Sequence, residues 1–393
     1  MVTASFTARR NLWVAAGLAL LIVVFLVLIP ARDSLNRPLP LSMLLGVAFG
    51  ALLQRSRFCF WCNYNDFLTD RDPRGLLSIL TALAGGTIAY AAVLHGWVPD
   101  PFAGRLPPDA FIGPIGLPLV LGATCFGLGM GLTGSCISAH LYRLGEGSVA
   151  SIPVLVFVLV GFVLGFLAWN PLYLLFGSAG PVIWLPAIFG HGGALALALA
   201  GFAALAALLI RFGRFPAPQA PAQPVQPVQA IFQHRWPGVT AGVIVALIAI
   251  IAYFRVAPLG VTAEVGSIAR TYAAGQGWLP QRLIGLDTLR GCIAVVKETL
   301  ASRNGVFVLG LVLGAAVAAQ IAGQFKPVLP RAVSLPRLAV GGMLLGFGAM
   351  IALGCTVGVL LSGTMSGALS GWVFGLFCLL GGWAGGRLRR AIP

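Results

Sequence analysis

The sequence predicts an all-α polytopic membrane protein with about ten spans, and its composition carries that prediction. Of its 393 residues, 59% are hydrophobic and only 9% are charged, whereas soluble domains average about 25% charged residues. The chain also holds 52 glycines and 26 prolines, which is typical of closely packed and broken membrane helices. This composition excludes a soluble enzyme, a disordered chain and a secreted disulfide scaffold.

Apolar runs along the chain indicate the individual spans. A straight crossing of the lipid bilayer needs about 20 residues, so the runs 41–54 and 338–353 are short, as discontinuous helices are. The first run lacks a small-residue cleavage site before Arg32, so residues 1–38 are interpreted as an extra, retained N-terminal transmembrane helix. The predicted spans are 12–30, 41–54, 75–97, 113–133, 149–169, 193–211, 238–254, 305–323, 338–353 and 369–386.

Basic residues set the predicted orientation. The net charge is +15, which in a soluble protein would suggest nucleic acid; here the basic residues lie mostly in short loops beside apolar runs. They indicate topology and attraction to anionic headgroups or anionic solutes, so no nucleic-acid partner is expected. Most of the 25 basic residues fall inside if both termini are cytoplasmic, and the positive-inside rule therefore favours that arrangement.

A Pro/Ala/Gln-rich segment divides the chain into two similar halves. Residues 212–237 are interpreted as a cytoplasmic linker, with the sequence FPAPQAPAQPVQPVQ at its centre. The linker separates a first transport repeat, 39–211, from a second, 238–393. Because the halves start an odd number of spans apart, they should insert in opposite orientations. Inverted repeats of this kind bring short broken or re-entrant helices together at the bilayer midplane.

Two matched windows support the repeat. Residues 127–151 and 346–370 both open with G-x-G and carry a cysteine at the same place, Cys136 and Cys355. A weaker match sets RSRFCFWC beside DTLRGC, which ends at Cys292. Each cysteine adjoins small or polar residues, which predicts a helix break rather than a packed core.

The cysteines at these breaks, Cys59, Cys62, Cys136, Cys292 and Cys355, are the candidate site. A broken helix exposes backbone N–H groups and a positive dipole end that favour anions. A thiol is a weak, polarisable donor, so it suits a soft sulfur or selenium centre better than a hard oxyanion. The pattern therefore predicts a small, soft, sulfur-containing anion as the ligand.

Residues near these cysteines have more modest predicted roles. Arg57 lies two residues from Cys59 and is the candidate for attracting the anion, whereas Cys125 and Cys378 lie in apolar runs and are interpreted as small hydrophobes. The mixed-charge segment 55–75 predicts a re-entrant or interfacial helix with local ion pairs. Arg143 and Glu146 are three residues apart and are predicted to pair across a turn.

Other classes of function remain open at this level. Thiolates also bind soft metals such as Cu(I), but the six methionines and four histidines form no metal-binding tract. The C-x-x-C of Cys59 and Cys62 could act as a redox dithiol or in sulfur transfer, although no second adjacent pair is present. A metal carrier or a membrane anchor subunit is a further alternative. The chain shows no nucleotide-binding or nucleophile motif, so no enzymatic activity and no cofactor are expected.

Three longer motifs follow one another along the chain: RSRFCF at 55–60, GLGMGLTGSC with LYRLGEGS at 127–148, and GFGAMIALGCTVG at 346–358. In this order they resemble the YeeE/YedE family of bacterial sulfur-transport membrane proteins. The resemblance implies an hourglass of inverted helical repeats in the bacterial inner membrane. It also implies import of thiosulfate, or of another sulfur or selenium compound.

The resemblance also assigns residues. It implies that the key waist thiols are Cys59, Cys136 and Cys355, with Cys292 less central, and that they pass the anion along by transient hydrogen bonds. A cytoplasmic sulfur-carrier protein is the candidate partner. The chain departs from the family in its first helix, its Pro-rich linker, its extra Cys62 and the GSC around Cys136.

Overall fold

A computed structural model describes residues 2–177, 180–215, 232, 234–286, 289, 291–297 and 301–391. Within these residues, ten helices are long and apolar enough to cross a membrane, and the extended structure consists of isolated bridges. The predicted all-helical, multi-pass class is confirmed. The predicted linker falls largely on 216–230, which lie outside the described residues.

The helices follow the predicted order. Their bounds are α1 Val2–Leu28, α2 Leu39–Ser56, α3 Phe60–Asp70, α4 Arg74–Trp97, α5 Leu117–Thr133, α6 Ile137–Gly145, α7 Ser151–Leu172, α8 Pro186–Phe212, α9 Gly238–Arg255, α10 Thr262–Gly275, α11 Arg303–Ile321, α12 Leu335–Ile351 and α13 Leu369–Ala391, with π-helical turns at Tyr173–Gly177 and Thr356–Gly363. Helix α10 was not among the predicted spans because its Thr-, Glu- and Arg-containing sequence lacks a long apolar run.

Three helix ends create the breaks that the sequence predicts. Arg57 is the C-cap of α2 and Gly134 is the C-cap of α5, and both are in the left-handed conformation, with φ of 51° and 82°. After α12, Leu353 also has a positive φ of 57°. Left-handed residues terminate the helical hydrogen-bond pattern, and each of these three is followed within two residues by a cysteine.

The helices pack in pairs drawn from the two halves of the chain. Helix α2 packs on α11 and α4 on α9, whereas α5 packs on both α12 and α13, and α7 packs on α12. Small residues allow this close approach: a Cβ atom added to Gly50 would lie 1.9 Å from the carbonyl oxygen of Leu311. Helix α1 stands at the edge and contacts mainly α11, through a small cluster that includes Ile22 and Val306.

The segment around α3 matches its prediction in part. It forms a short helix between α2 and α4, and one local ion pair joins Asp72 to Arg74 at 2.7 Å. This pairing holds the pKa of the Asp72 carboxyl below its usual range, because the Arg74 guanidinium donates hydrogen bonds to it.

Candidate functional site

Each of the three breaks places a cysteine at the start of a helical segment. Cys59 is the N-cap of α3, Cys136 is the N-cap of α6, and Cys355 is the N-cap of the π-helical turn that begins at Thr356. All three side chains are buried. Backbone N–H groups at a helix start have no intrahelical partner and carry partial positive charge. The three thiols therefore lie where the local field favours an anion.

The first group of thiols comes from two separate breaks. The Sγ atom of Cys62 lies 2.7 Å from the Sγ atom of Cys59, and the Cys59 thiol lies beside that of Cys136. The Cys136 thiol also lies 3.2 Å from the Ser138 hydroxyl. The structure thus brings Cys59, Cys62 and Cys136 together.

The second group contains Cys292 and Cys355. The hydroxyl of Thr262 donates to Cys292 Sγ at 3.3 Å, and the backbone N–H of Ala263 donates to the same atom at 3.1 Å. Thr262 also contacts the Cys355 thiol, so it joins the two cysteines. Sequence reasoning missed Thr262, and no local pattern could have found it, because 30 residues separate it from Cys292.

The two groups adjoin one another. Thr356, the residue after Cys355, lies beside Cys136, and the Cys136 and Cys355 thiols lie near each other. We call these five cysteines the thiol line; they follow one another in space in the order Cys62, Cys59, Cys136, Cys355 and Cys292. All five are free cysteines. By contrast, the remaining two, Cys125 and Cys378, lie inside α5 and α13 rather than at breaks.

A cavity of about 960 Å³ with charged residues in its wall, the vestibule, opens at the Cys62 end of the thiol line. Arg57, which is exposed, lies on its wall. Burial raises the pKa of the Glu146 carboxyl in the same wall. The charged residues that line the vestibule are Arg57, Arg74, Arg143, Arg235, Lys326, Asp66, Asp72 and Glu146.

One predicted contact in this wall is wrong. Arg143 does not form a direct ion pair with Glu146; instead its Nη2 atom donates to the Sγ atom of Cys62 at 3.1 Å. The sequence spacing favours the i,i+3 pair, but the packing of α3 near α6 brings the thiol within reach of the guanidinium. The attraction between Arg143 and Glu146 acts over a longer distance.

A much smaller, mostly apolar cavity of about 20 Å³, the chamber, lies at the other end. It is bounded by Gly291 and Leu353 next to the second group of thiols, and by Trp169 and Tyr173 at the end of α7. The vestibule adjoins Ser148, just before the start of α7. Because α7 has 22 residues and a helix rises about 1.5 Å per residue, the two cavities lie on opposite sides of the bundle.

Among the residues that the structure describes, no group of three or more His, Cys, Asp or Glu side chains could hold a metal ion. The thiols contact one another, hydroxyl groups, backbone N–H groups and a guanidinium. Such partners are suited to reversible hydrogen bonding.

A bundle of membrane-spanning helices, broken at a buried polar line between two cavities, has the architecture of a multi-pass membrane transporter. The profile of the sulphur transport family matches residues 55–384. The chain belongs to this family, and it is a transporter rather than an enzyme.

Individual relatives agree with the family. The chain is 28% identical over 358 residues to the thiosulfate transporter TsuA of Spirochaeta thermophila, covering 87% of this chain and 96% of that protein. It is 24% identical to the thiosulfate transporter TsuA of Escherichia coli, covering 90% and 95%. A shorter match, 32% identical over 89 residues and 22% of each chain, is to the probable transporter YedE of Escherichia coli.

Proposed function

We propose that this protein imports thiosulfate, or a similar soft sulfur-containing anion, across the bacterial inner membrane. The observation that carries the proposal is the thiol line, which lies between two cavities on opposite sides of the bundle. Two relatives that match most of the chain are named thiosulfate transporters, which supports this substrate over other sulfur or selenium compounds.

The chemistry of the thiols fits transport. A transported anion must be bound weakly enough to leave, and a neutral hydrogen bond contributes about 1 kcal/mol net, with a thiol donor at the weak end of that range. Successive contacts with Cys292, Cys355, Cys136 and Cys59 would replace the water around the sulfur atom one step at a time. These four cysteines, with Arg57 at the vestibule, are the proposed substrate-binding residues.

The packing supports an inverted repeat. If the two halves are exchanged, α2 corresponds to α9, α4 to α11, α5 to α12 and α7 to α13. The contact of α2 with α11 then becomes that of α9 with α4, and the contact of α5 with α13 becomes that of α12 with α7. We therefore retain 39–211 and 238–393 as the two transport repeats, with 1–38 as an extra helix and 212–237 as the linker.

Uptake and sidedness test the function together. Right-side-out membrane vesicles that contain the protein should accumulate ³⁵S-labelled thiosulfate, and excess unlabelled sulfate should compete poorly because it lacks a soft sulfur atom. A reporter fused after Arg390 should report a cytoplasmic C-terminus, which would place the vestibule inside, where a sulfur-carrier protein could collect the anion. Absence of uptake in vesicles with correctly folded protein would overturn the proposal.

Arg57 should affect how readily the anion moves through the vestibule. Because its side chain is exposed on the vestibule wall, a positive charge there should matter more than its exact shape. We expect Arg57→Lys to retain most uptake and Arg57→Glu to lose most of it, with the loss partly relieved at high salt. Equal rates for the two variants would restrict Arg57 to a role in membrane topology.

A further inference from the structure

Arg143 is an arginine at the junction between the vestibule and the thiol line. Its side chain is half-buried, lines the vestibule, and contacts Cys62 Sγ at 3.1 Å. It also lies against Tyr142 and approaches the carbonyl oxygen of Gly134 at 3.5 Å. Within the described part of the chain, no carboxylate oxygen lies within 4 Å of its guanidinium.

A second cation approaches the same point from another helix. The guanidinium of Arg389, from α13, packs so closely on Gly134 that a Cβ atom there would lie 2.0 Å from its Nη1 atom. Arg143 and Arg389 repel each other, while Glu146 attracts Arg143 from a distance. Two guanidinium groups around one backbone turn make this junction strongly electropositive, and a bound anion would relieve their repulsion.

Cys62 supplies the complementary partner. Among the cysteines of the thiol line, Cys62 is the one in the wall of the vestibule. Its Sγ atom contacts both Cys59 and Arg143. A guanidinium offers several N–H donors in a plane that matches oxyanions, whereas a thiol suits a soft sulfur atom. One side of this junction therefore fits the hard oxygens of an anion such as thiosulfate, and the other fits its terminal sulfur.

We propose that Arg143 and Cys62 form a binding site for sulfur oxyanions that carry a terminal soft sulfur, at the point where the thiol line meets the vestibule. The inference rests on the proposed function and names the site from which the same anion is released. Arg143 holds the oxygens while the sulfur moves from Cys59 to Cys62. Arg389 adds to the positive field, and Glu146 weakens it enough for the anion to depart.

Exchange measurements on vesicles of both orientations test this site. The half-saturating thiosulfate concentration should be measured separately for loading from the vestibule face and from the chamber face. We expect Arg143→Gln to raise it at least about tenfold on the vestibule face, because a charge-assisted hydrogen bond is lost, and to change it less than about twofold on the chamber face. Cys62→Ala should produce a smaller rise on the vestibule face, and Arg143→Lys an intermediate one.

Arg235→Gln is the matched control. It removes the same charge from the vestibule wall without removing the contact with Cys62, so its effect should be small and should vanish at high salt. If Arg235→Gln and Arg143→Gln raise the value equally, the effect comes from the general field and the site is overturned. Equal effects of Arg143→Gln on both faces would overturn it as well.

The unmodified protein provides a test that does not depend on the folding of a variant. A charged maleimide applied to the vestibule face should label Cys62, and thiosulfate should slow that labelling more than sulfate does at the same concentration. Uptake without protection of Cys62 would reject this site and leave the proposed function in place. Protection by sulfate equal to that by thiosulfate would reject the role of the thiol in selecting the anion.

Discussion

Cys136→Ser and Cys355→Ser should each lower the initial rate of thiosulfate uptake by about tenfold or more, while the protein remains folded. Both cysteines start helical segments at the breaks, and both are buried. A serine hydroxyl has a similar shape, but it forms stronger hydrogen bonds to hard partners. It should bond to Ser138 or Thr262 instead of the soft sulfur atom, so the anion would lose a hydrogen-bond partner along its path.

A cysteine outside the thiol line provides the control. Cys125 is half-buried inside α5, and Cys125→Ser should retain the uptake rate of the unmodified protein. Mass spectrometry should find Cys136 and Cys355 as free thiols. Full uptake by the double serine variant, or a native disulfide at either position, would contradict transport by transient hydrogen bonds and return both residues to a packing role.

The same series separates transport from thiol-redox chemistry. The contact between Cys59 and Cys62 is the observation that favours a redox dithiol, which would need both sulfur atoms in every cycle. We expect Cys62→Ala to retain measurable uptake, since its thiol is only the last of the line. The family to which the chain belongs also favours transport. The C-x-x-C motif alone does not distinguish transport from redox chemistry, because both are compatible with it.

The breaks could be predicted from the sequence because local chemistry causes them. Gly134 permits the left-handed turn that ends α5, and the repeated G-x-G windows place Cys136 and Cys355 at matching positions. The ten spans are likewise local, since each depends on an uninterrupted apolar run. The helix breaks and the spans therefore depend on short stretches of sequence and not on contacts between distant segments.

The partners of the thiols could not be predicted, because they come from distant segments. Thr262 reaches Cys292 from α10, a helix that the apolar runs of the sequence do not predict. Arg143 was assigned to Glu146 on spacing alone, whereas the contact with Cys62 joins residues 81 positions apart. Spacing rules describe an isolated helix, and they fail where a second helix offers a closer partner.

The glycines between α2 and α11 should have the largest effect on stability. A Cβ atom at Gly46 would lie 2.2 Å from the carbonyl oxygen of Phe307, and one at Gly50 would lie 1.9 Å from that of Leu311. Both obstacles are backbone atoms, so a rotamer change cannot relieve the overlap and the helices must separate. We expect Gly50→Ala to destabilise the protein by about 3 kcal/mol, and Gly46→Ala by a similar amount.

Thermal unfolding in detergent measures this loss of stability. A dye that reacts with exposed thiols reports the unfolding, because Cys59 and Cys136 are buried in the folded protein. Gly17→Ala is the matched control: it lies within a helix, and nothing lies within 4 Å of its added Cβ atom. That substitution should leave the midpoint unchanged or raise it slightly, since alanine favours a helix over glycine by about 1 kcal/mol. If Gly50→Ala unfolded at the same temperature as Gly17→Ala, the two helices could not be held at backbone contact, and the pairing of α2 with α11 that supports the inverted repeat would have to be abandoned.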